Sequence, residues 1–215
     1  MGSPEELIPR ELTPREDVIG YAESWEQLRR FWHVEIVGLQ RAFSWRRLIN
    51  KCRHDTKYAF LFWFRIAQLC YRSRSWFLKR WGTVLRARLK RNHAMDVNIR
   101  AEIGEGLYIP HPVGVVIAAR SRIGRNCTIF QNVTIGSRQS GKGFIRIGDN
   151  VSIGAHACII GNNITIGDDV AIGATSFVNQ DIPSGTTFTN VRERRVRTRS
   201  NEAFPMLQKN IRPKP

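Results

Sequence analysis

The sequence predicts a mainly β fold, a parallel β-helix of about five coils, preceded by a basic, aromatic-rich α-helical segment. Three observations lead there. From Val97 onward, aliphatic residues return at every sixth position. All six tryptophans of the 215-residue chain (25, 32, 45, 63, 76 and 81) precede that region. The net charge of +16 is also unevenly spread. Residues 36–91 hold fifteen Lys/Arg against the single acid Asp55, and residues 96–191 hold seven of each sign. The stretch 192–215 returns to eight Lys/Arg against Glu193 and Glu202. A chain that is 42% hydrophobic with 10% aromatics is not largely disordered.

Four parts follow in order: an N-terminal extension (1–23), a helical basic and aromatic segment (24–92), the β-helix (93–190) and a basic tail (191–215). The extension opens MGSPEELIPRELTPRED, with three prolines and five carboxylates. A secretory signal needs a basic start and then an apolar stretch, so none is read here. In the helical segment, Ser24-Trp25-Glu26-Gln27 has the pattern of a helix start, with Ser24 as N-cap and Gln27 at the third helical position. Tyr58–Tyr71 and Trp76–Arg91 are rich in aromatics, Leu and Arg, and no proline interrupts the chain between Pro14 and Pro110. The longest apolar run, Ala59 to Phe64, is cut by Arg65, far short of the roughly 18 residues that span a membrane.

The repeat runs Val97, Ile103, Ile109, Val115, slips two residues to Ile117, and continues through Ile123, Ile129 and Ile135. After an irregular loop it resumes at Ile147, Ile153 and Ile159, then gains one residue before Ile166, Ile172 and Val178. Glycine follows many of these aliphatics, and the fourth position on is often small or β-branched. Period six fits neither an amphipathic helix nor a simple alternating strand. It fits three short flat strands per coil, each pointing one aliphatic at a narrow axis, with Gly, Asn or Asp at the corners. Cys127 and Cys158 fall at inward or near-inward small positions and read as core. The four cysteines form no CxxC and no zinc-type spacing with His, so no metal site or disulfide framework is expected, and a reducing cytoplasm is the expected compartment.

The segments IPHPVGVVI (109–117), IGRNCTIFQNVTIG (123–136), IGDNVSIGAHACIIGN (147–162) and IGDDVAIGATSFV (166–178) together resemble the hexapeptide-repeat acetyltransferases, in particular the serine acetyltransferase branch. The resemblance implies a left-handed β-helix, a homotrimer, and acetyl-CoA as co-substrate in a groove between neighbouring coils, with no metal. It implies His111 as general base and Asp96, fifteen residues earlier, as the carboxylate that orients it. It places Gly136, Ser137, Gly154, Ala155 and Ala174 along the cofactor. Each also has a plain structural reading as coil geometry, and His111 could be a rim histidine with Asp96 capping the first coil.

The departures from that branch matter as well. Where serine acetyltransferases carry an acid before the catalytic histidine, this chain has Pro110. Where they carry an Arg-His pair against the serine carboxylate, it has Gly143 and Phe144. A site stripped of both charges should discriminate poorly for a zwitterion, which favours a neutral or polyhydroxylated acceptor. FRIAQLCYRSRSW (64–76) resembles the N-terminal region of colanic-acid-type exopolysaccharide O-acetyltransferases, implying a saccharide hydroxyl on a capsule, an exopolysaccharide or a lipid-linked precursor. Pro110, Arg138, Lys142, Phe144 and Arg146 are then the expected acceptor-site residues, the three cations serving anionic groups or forming a solvated loop face. The alternatives are a small hydroxyl acceptor such as serine, and a non-catalytic β-helix platform.

The basic, aromatic helices (24–91) admit several uses. They could lie peripherally in the headgroup region of the cytoplasmic membrane, bind an anionic glycan, or simply pack on the β-helix. Nucleic acid is the least expected partner.

Overall fold

A computed structural model describes residues 20–137 and 143–190. Most of the N-terminal extension, Arg138, Lys142 and the basic tail lie outside the described residues.

Ser24 caps the first helix, α1 (Trp25–Trp32). Its Oγ accepts from the Gln27 N–H at 3.2 Å, while Gln27 Oε1 accepts from the Glu23 N–H at 2.7 Å. The first satisfies an N–H that a helix start leaves without an intrahelical partner, and the second ties the residue before the cap to the first turn. The chain continues through a π-helical turn, His33–Val37, which ends at Gly38 with φ 92°. Then come α2 (Trp45–His54), α3 (Thr56–Arg72) and α4 (Trp76–His93). Asp55 separates α2 from α3 and caps α3, its carboxylate accepting from the Lys57 N–H at 3.0 Å. Helices α3 and α4 touch closely at Gly82, where a Cβ would lie 2.9 Å from both the Ala67 carbonyl oxygen and the Tyr71 nitrogen. Among the described residues no helix is long and apolar enough to cross a membrane.

The remainder is a parallel β-helix, consistent with the left-handed kind. One face is a five-stranded sheet of β1 (Asp96–Val97), β3 (Val116–Ile117), β6 (Thr134–Gly136), β9 (Cys158–Ile160) and β12 (Phe177–Val178). The second face stacks β2 (Glu102–Ile103), β4 (Ser121–Ile123), β7 (Ile145–Ile147) and β10 (Ile164–Ile166). The third stacks β5 (Thr128–Ile129), β8 (Ser152–Ile153), β11 (Ala171–Ile172) and β13 (Thr187–Phe188). Each strand pairs in parallel with its equivalent one coil on, for example Ile117 with Ile135 and Ile135 with Ile159. The six-residue aliphatics Val97, Ile117, Ile135, Ile159 and Val178 are all buried on the axis. The corner between the second and third faces repeats Asn126, Asn150 and Asp169, all at positive φ, and their side chains bond in sequence at 3.1 and 3.0 Å. Asn and Asp tolerate this left-handed geometry better than other side chains.

Cys127 is fully buried, as its position in the repeat predicts. Cys158 is different: Ile159 takes the inward position of β9, and the Cys158 side chain, only half-buried, projects from the outer face.

The helical segment closes the open end of the first coil. Arg65, wholly buried, donates to Glu35 Oε2 from Nε at 3.1 Å and through Nη2 to Glu35 Oε1. The same guanidinium donates at 2.8 Å to the carbonyls of Ile103 and Gly104, and Gln68 Nε2 donates at 2.8 Å to that of Ala101. The coil's last unpaired carbonyls thus find donors in the helices, as buried backbone groups require. Burial raises the Glu35 carboxyl above the ordinary carboxylate range, while the adjacent Arg65 acts in the opposite sense.

Candidate active site

The β-helix has three corners, and the one joining the third face to the first carries most of the described residues singled out from the sequence. In the later coils it is a short turn: Phe130-Gln131-Asn132, Gly154-Ala155-His156 and Gly173-Ala174-Thr175. Asn132, His156 and Thr175 stack there at φ 58°, 61° and 60°. The equivalent left-handed residue one coil earlier is Gly114, at φ 67°, and Asn132 N–H bonds to Val113 O just as His156 N–H bonds to Gln131 O. Val113 therefore corresponds to Gln131 and Ala155. The two-residue slip in the repeat is the insertion of two residues at this corner, and it pushes His111 out of the coil. A turn from Val113 N–H to His111 O at 2.8 Å closes the protrusion. His111 is exposed there, and among the described residues its ring makes no hydrogen bond.

Asp96 opens β1 immediately after the same corner, whose first-coil residue is Ala94. Gly114 N–H donates to Ala94 O at 2.9 Å, tying the His111 turn to that strand. The Asp96 carboxylate accepts from Lys90 Nζ at 2.6 Å and from Arg86 Nη2 at 3.2 Å, both on α4. The Lys90 hydrogen bond, followed by that of Arg86, holds the carboxyl below the usual range against its partial burial. These two bonds occupy half the acceptor capacity of a carboxylate.

Ala155 and Ala174 lie on the corner, small and at least partly exposed. Among the described residues their backbone N–H groups have no hydrogen-bond acceptor, so both are free donors. Gly154 has a packing role: a Cβ there would meet the Ala174 nitrogen at 2.5 Å. Gly136 differs, since its nearest neighbour to an added Cβ is the Ala118 methyl at 3.9 Å. Neighbouring coils do not demand glycine at that position, which leaves a shallow space on the surface.

Gly136 and Ser137 sit at the opposite edge of the five-stranded face from His111. Ser137 Oγ donates to Asn162 Oδ1 at 2.9 Å. Phe144 ends the loop at that edge, its ring 5.2–5.5 Å from the guanidinium carbons of Arg120, Arg122 and Arg146. Within one chain the residues singled out from the sequence therefore form two groups. His111, Asp96, Pro110, Gly154, Ala155 and Ala174 share one edge, while Gly136, Ser137 and Phe144 share the other, with Arg146 on the second face. Two clefts occur elsewhere, in the helical segment: one lined by Phe43, Arg46 and Arg53, the other by Tyr21, Arg72 and Leu78.

One residue at this corner departs from the pattern of the later coils. Gln131 occupies the position that later coils give to Ala155 and Ala174, and its Oε1 is buried without a hydrogen-bond partner. The equivalent residues in the other coils, Val113, Ala155 and Ala174, carry no polar side chain there. Among the described residues no three His, Cys, Asp or Glu side chains gather to hold a metal.

No family model matches the chain. It is 44% identical over 99 residues to serine acetyltransferase of Staphylococcus xylosus, a stretch covering 45% of each protein. The same enzyme of Synechococcus elongatus matches at 39% identity over 99 residues, 45% of this chain and 40% of that protein. The chain thus matches less than half the length of these curated relatives. Serine acetyltransferase isoform 3 of Entamoeba histolytica, in complex with cysteine, superposes with a TM-score of 0.64 at 27% identity, covering 81% of this chain and 61% of that one. The Neisseria gonorrhoeae enzyme in complex with serine gives 0.63 at 28%, covering 77% and 66%. Such coverage exceeds the β-helix and reaches into the helical segment. These likenesses support an acetyltransferase of the hexapeptide-repeat type, and they lend no support to the polysaccharide branch expected from residues 64–76.

Proposed function

We propose that the chain is an acetyl-CoA-dependent O-acetyltransferase acting on the hydroxyl of a small, serine-like acceptor. The observation that carries this reading is the His111 turn: an imidazole lifted out of the coil by a two-residue insertion, beside a strand that begins with a deprotonated Asp96. The relatives supply the acceptor class.

The chemistry follows from these groups. Neutral His111 takes the proton of the acceptor hydroxyl as its oxygen attacks the thioester carbonyl carbon. A C–O bond forms, the carbonyl oxygen gains negative charge, and free N–H groups such as those of Ala155 and Ala174 suit that charge or the pantetheine amides. Collapse breaks the C–S bond, and the imidazolium returns its proton to the departing CoA thiolate. Asp96 keeps acceptor capacity for the imidazolium N–H and stabilises its charge. The space beside Gly136 fits a pantetheine arm against backbone. Because Gly136, Ser137 and Phe144 lie across the face from His111, a homotrimer would complete each site by setting the His111 corner of one copy against the Gly136 edge of the next.

A second reading, transfer to a saccharide hydroxyl, is favoured by one local feature. Pro110 and Phe144 stand where a zwitterion would be met by charge. Free-thiol release from acetyl-CoA decides between them, measured with serine, homoserine, nucleotide sugars and oligosaccharides. Turnover on serine or homoserine, lost by at least about a hundredfold in kcat in His111→Ala, is the expected result. Turnover confined to glycans would transfer the reading to saccharides. Undiminished turnover in His111→Ala would remove the histidine from the mechanism. Absence of any thermal shift with millimolar CoA would favour a non-catalytic platform.

A further inference from the structure

Helix α4 presents a face that nothing among the described residues covers. Gly82 and Leu89 are its buried residues, and Leu85 on the same side is half-buried. On the neighbouring side, about a quarter turn round the helix, Phe77, Trp81, Val84 and Arg88 follow at the i, i+4, i+7, i+11 spacing of one helix stripe. The first three are 65%, 44% and 52% exposed, and Trp76 beside them is 76% exposed. Arg80 and Arg91 flank the stripe, and like Arg88 within it they are exposed and without an acidic partner among the described residues. The helix contains six Lys/Arg and no acid, and α2 and α3 contain no acid either.

We infer that this face of α4 docks the protein peripherally on an anionic phospholipid surface, with Phe77, Trp81 and Val84 at the acyl boundary and Arg80, Arg88 and Arg91 on lipid phosphates. The composition is that of a helix lying in the membrane plane: an apolar aromatic stripe beside a dense positive face. Charge selects the occupant. A second copy meeting the stripe isologously would bring the unpartnered Arg80, Arg88 and Arg91 of each helix against one another, whereas an anionic leaflet attracts them. The helix is too short of apolar residues to insert across the bilayer, and its inner side is committed to α3 through Gly82. Docking therefore leaves the helical cap and the β-helix intact. The inference does not depend on the acetyl-transfer reading.

The test is co-sedimentation of the full chain with phosphatidylcholine vesicles, with and without phosphatidylglycerol, at low and high salt. Two surface variants accompany it, Phe77→Ser/Trp81→Ser/Val84→Ser and Arg80→Glu/Arg88→Glu/Arg91→Glu, each checked for an unchanged circular dichroism spectrum. Wild type should pellet with the anionic vesicles at low salt, and each variant should lose at least about tenfold in partition coefficient. Equal binding to pure phosphatidylcholine, or no pelleting of the wild type, would overturn the inference. So would a serine variant that still pellets while its molar mass by light scattering drops, which would assign the stripe to a second copy.

Discussion

Arg65 and Glu35 form an ion pair with no solvent exposure on either side chain, thirty residues apart in sequence, at the junction between helices and β-helix. The pair does not stand alone, because the guanidinium also holds the Ile103 and Gly104 carbonyls. Arg65→Met should destabilise the protein by about 3–5 kcal/mol, since it leaves the Ile103 and Gly104 carbonyls without their side-chain donor and a buried carboxylate without its charge partner, with backbone N–H groups such as that of Leu107 as its remaining donors. Glu35→Leu/Arg65→Met should cost less than Arg65→Met alone, the apolar pair removing the stranded charge. Urea unfolding curves of the three variants check this, and a double variant as unstable as Arg65→Met would contradict it.

Asp96 gives a pH dependence whose sign can be worked out. Its folded-state value lies below the unfolded reference of 3.8, so the native state binds fewer protons in between. Its contribution is therefore fully present above the unfolded value and disappears as pH falls through the lower, folded one. Asp96, Lys90 and Arg86 are partly exposed, which limits the effect to about 1 kcal/mol or less. Asp96→Asn should be less stable than wild type at neutral pH and equal to it in strong acid. A stability difference that persists at acid pH would contradict the assignment.

Two glycines of the β-helix should respond in opposite ways. Gly154→Ala forces a methyl to within 2.5 Å of the Ala174 nitrogen, so the coils must part at a cost of about 1–3 kcal/mol. Gly136→Ala meets only a methyl at 3.9 Å and should leave stability unchanged. Its effect should instead appear as a raised KM for acetyl-CoA, with kcat little altered. Thermal unfolding together with steady-state kinetics separates the two, and a Gly136→Ala protein with wild-type KM would remove that position from the cofactor path.

The cysteines should label in an order set by burial. Loss of solvation pushes the Cys127 thiol up to about 12 and that of Cys52 to about 11. The thiolate is the reactive form, so Cys127 should resist iodoacetamide at mildly alkaline pH until the protein is unfolded. Cys158, half-buried on the outer face, should label in the native state. Peptide mass spectrometry after timed labelling reads both.

Much of this was legible in the sequence because a β-helix repeats its local rule in every coil. The period fixed which aliphatics face the axis, and the Ser24 cap was visible as a four-residue pattern. The two-residue slip near Val115 was visible too, although only the stacking of Gly114 on Asn132 reveals it as the corner that expels His111. What the sequence hid was long-range. Nothing local to Asp96 announces that Lys90 and Arg86 on α4 will hold it. Nothing in FRIAQLC shows that Arg65 turns inward to cap a coil rather than face solvent or lipid. The outward Cys158 escaped for a simpler reason: a one-residue offset in a strand changes the face, and both of its neighbours in the repeat are small or aliphatic.

The corner that carries His111 has a wider consequence. In a solenoid each coil is held by its neighbours through the flat faces, and the corners only return the chain to the next face. Residues added there change the length of the path without disturbing a single rung. The His111 turn is such an addition, at one edge of the five-stranded face. New chemistry can thus be acquired by lengthening a bend, while the faces, locked in register above and below, preserve the scaffold on which the next variation is tried.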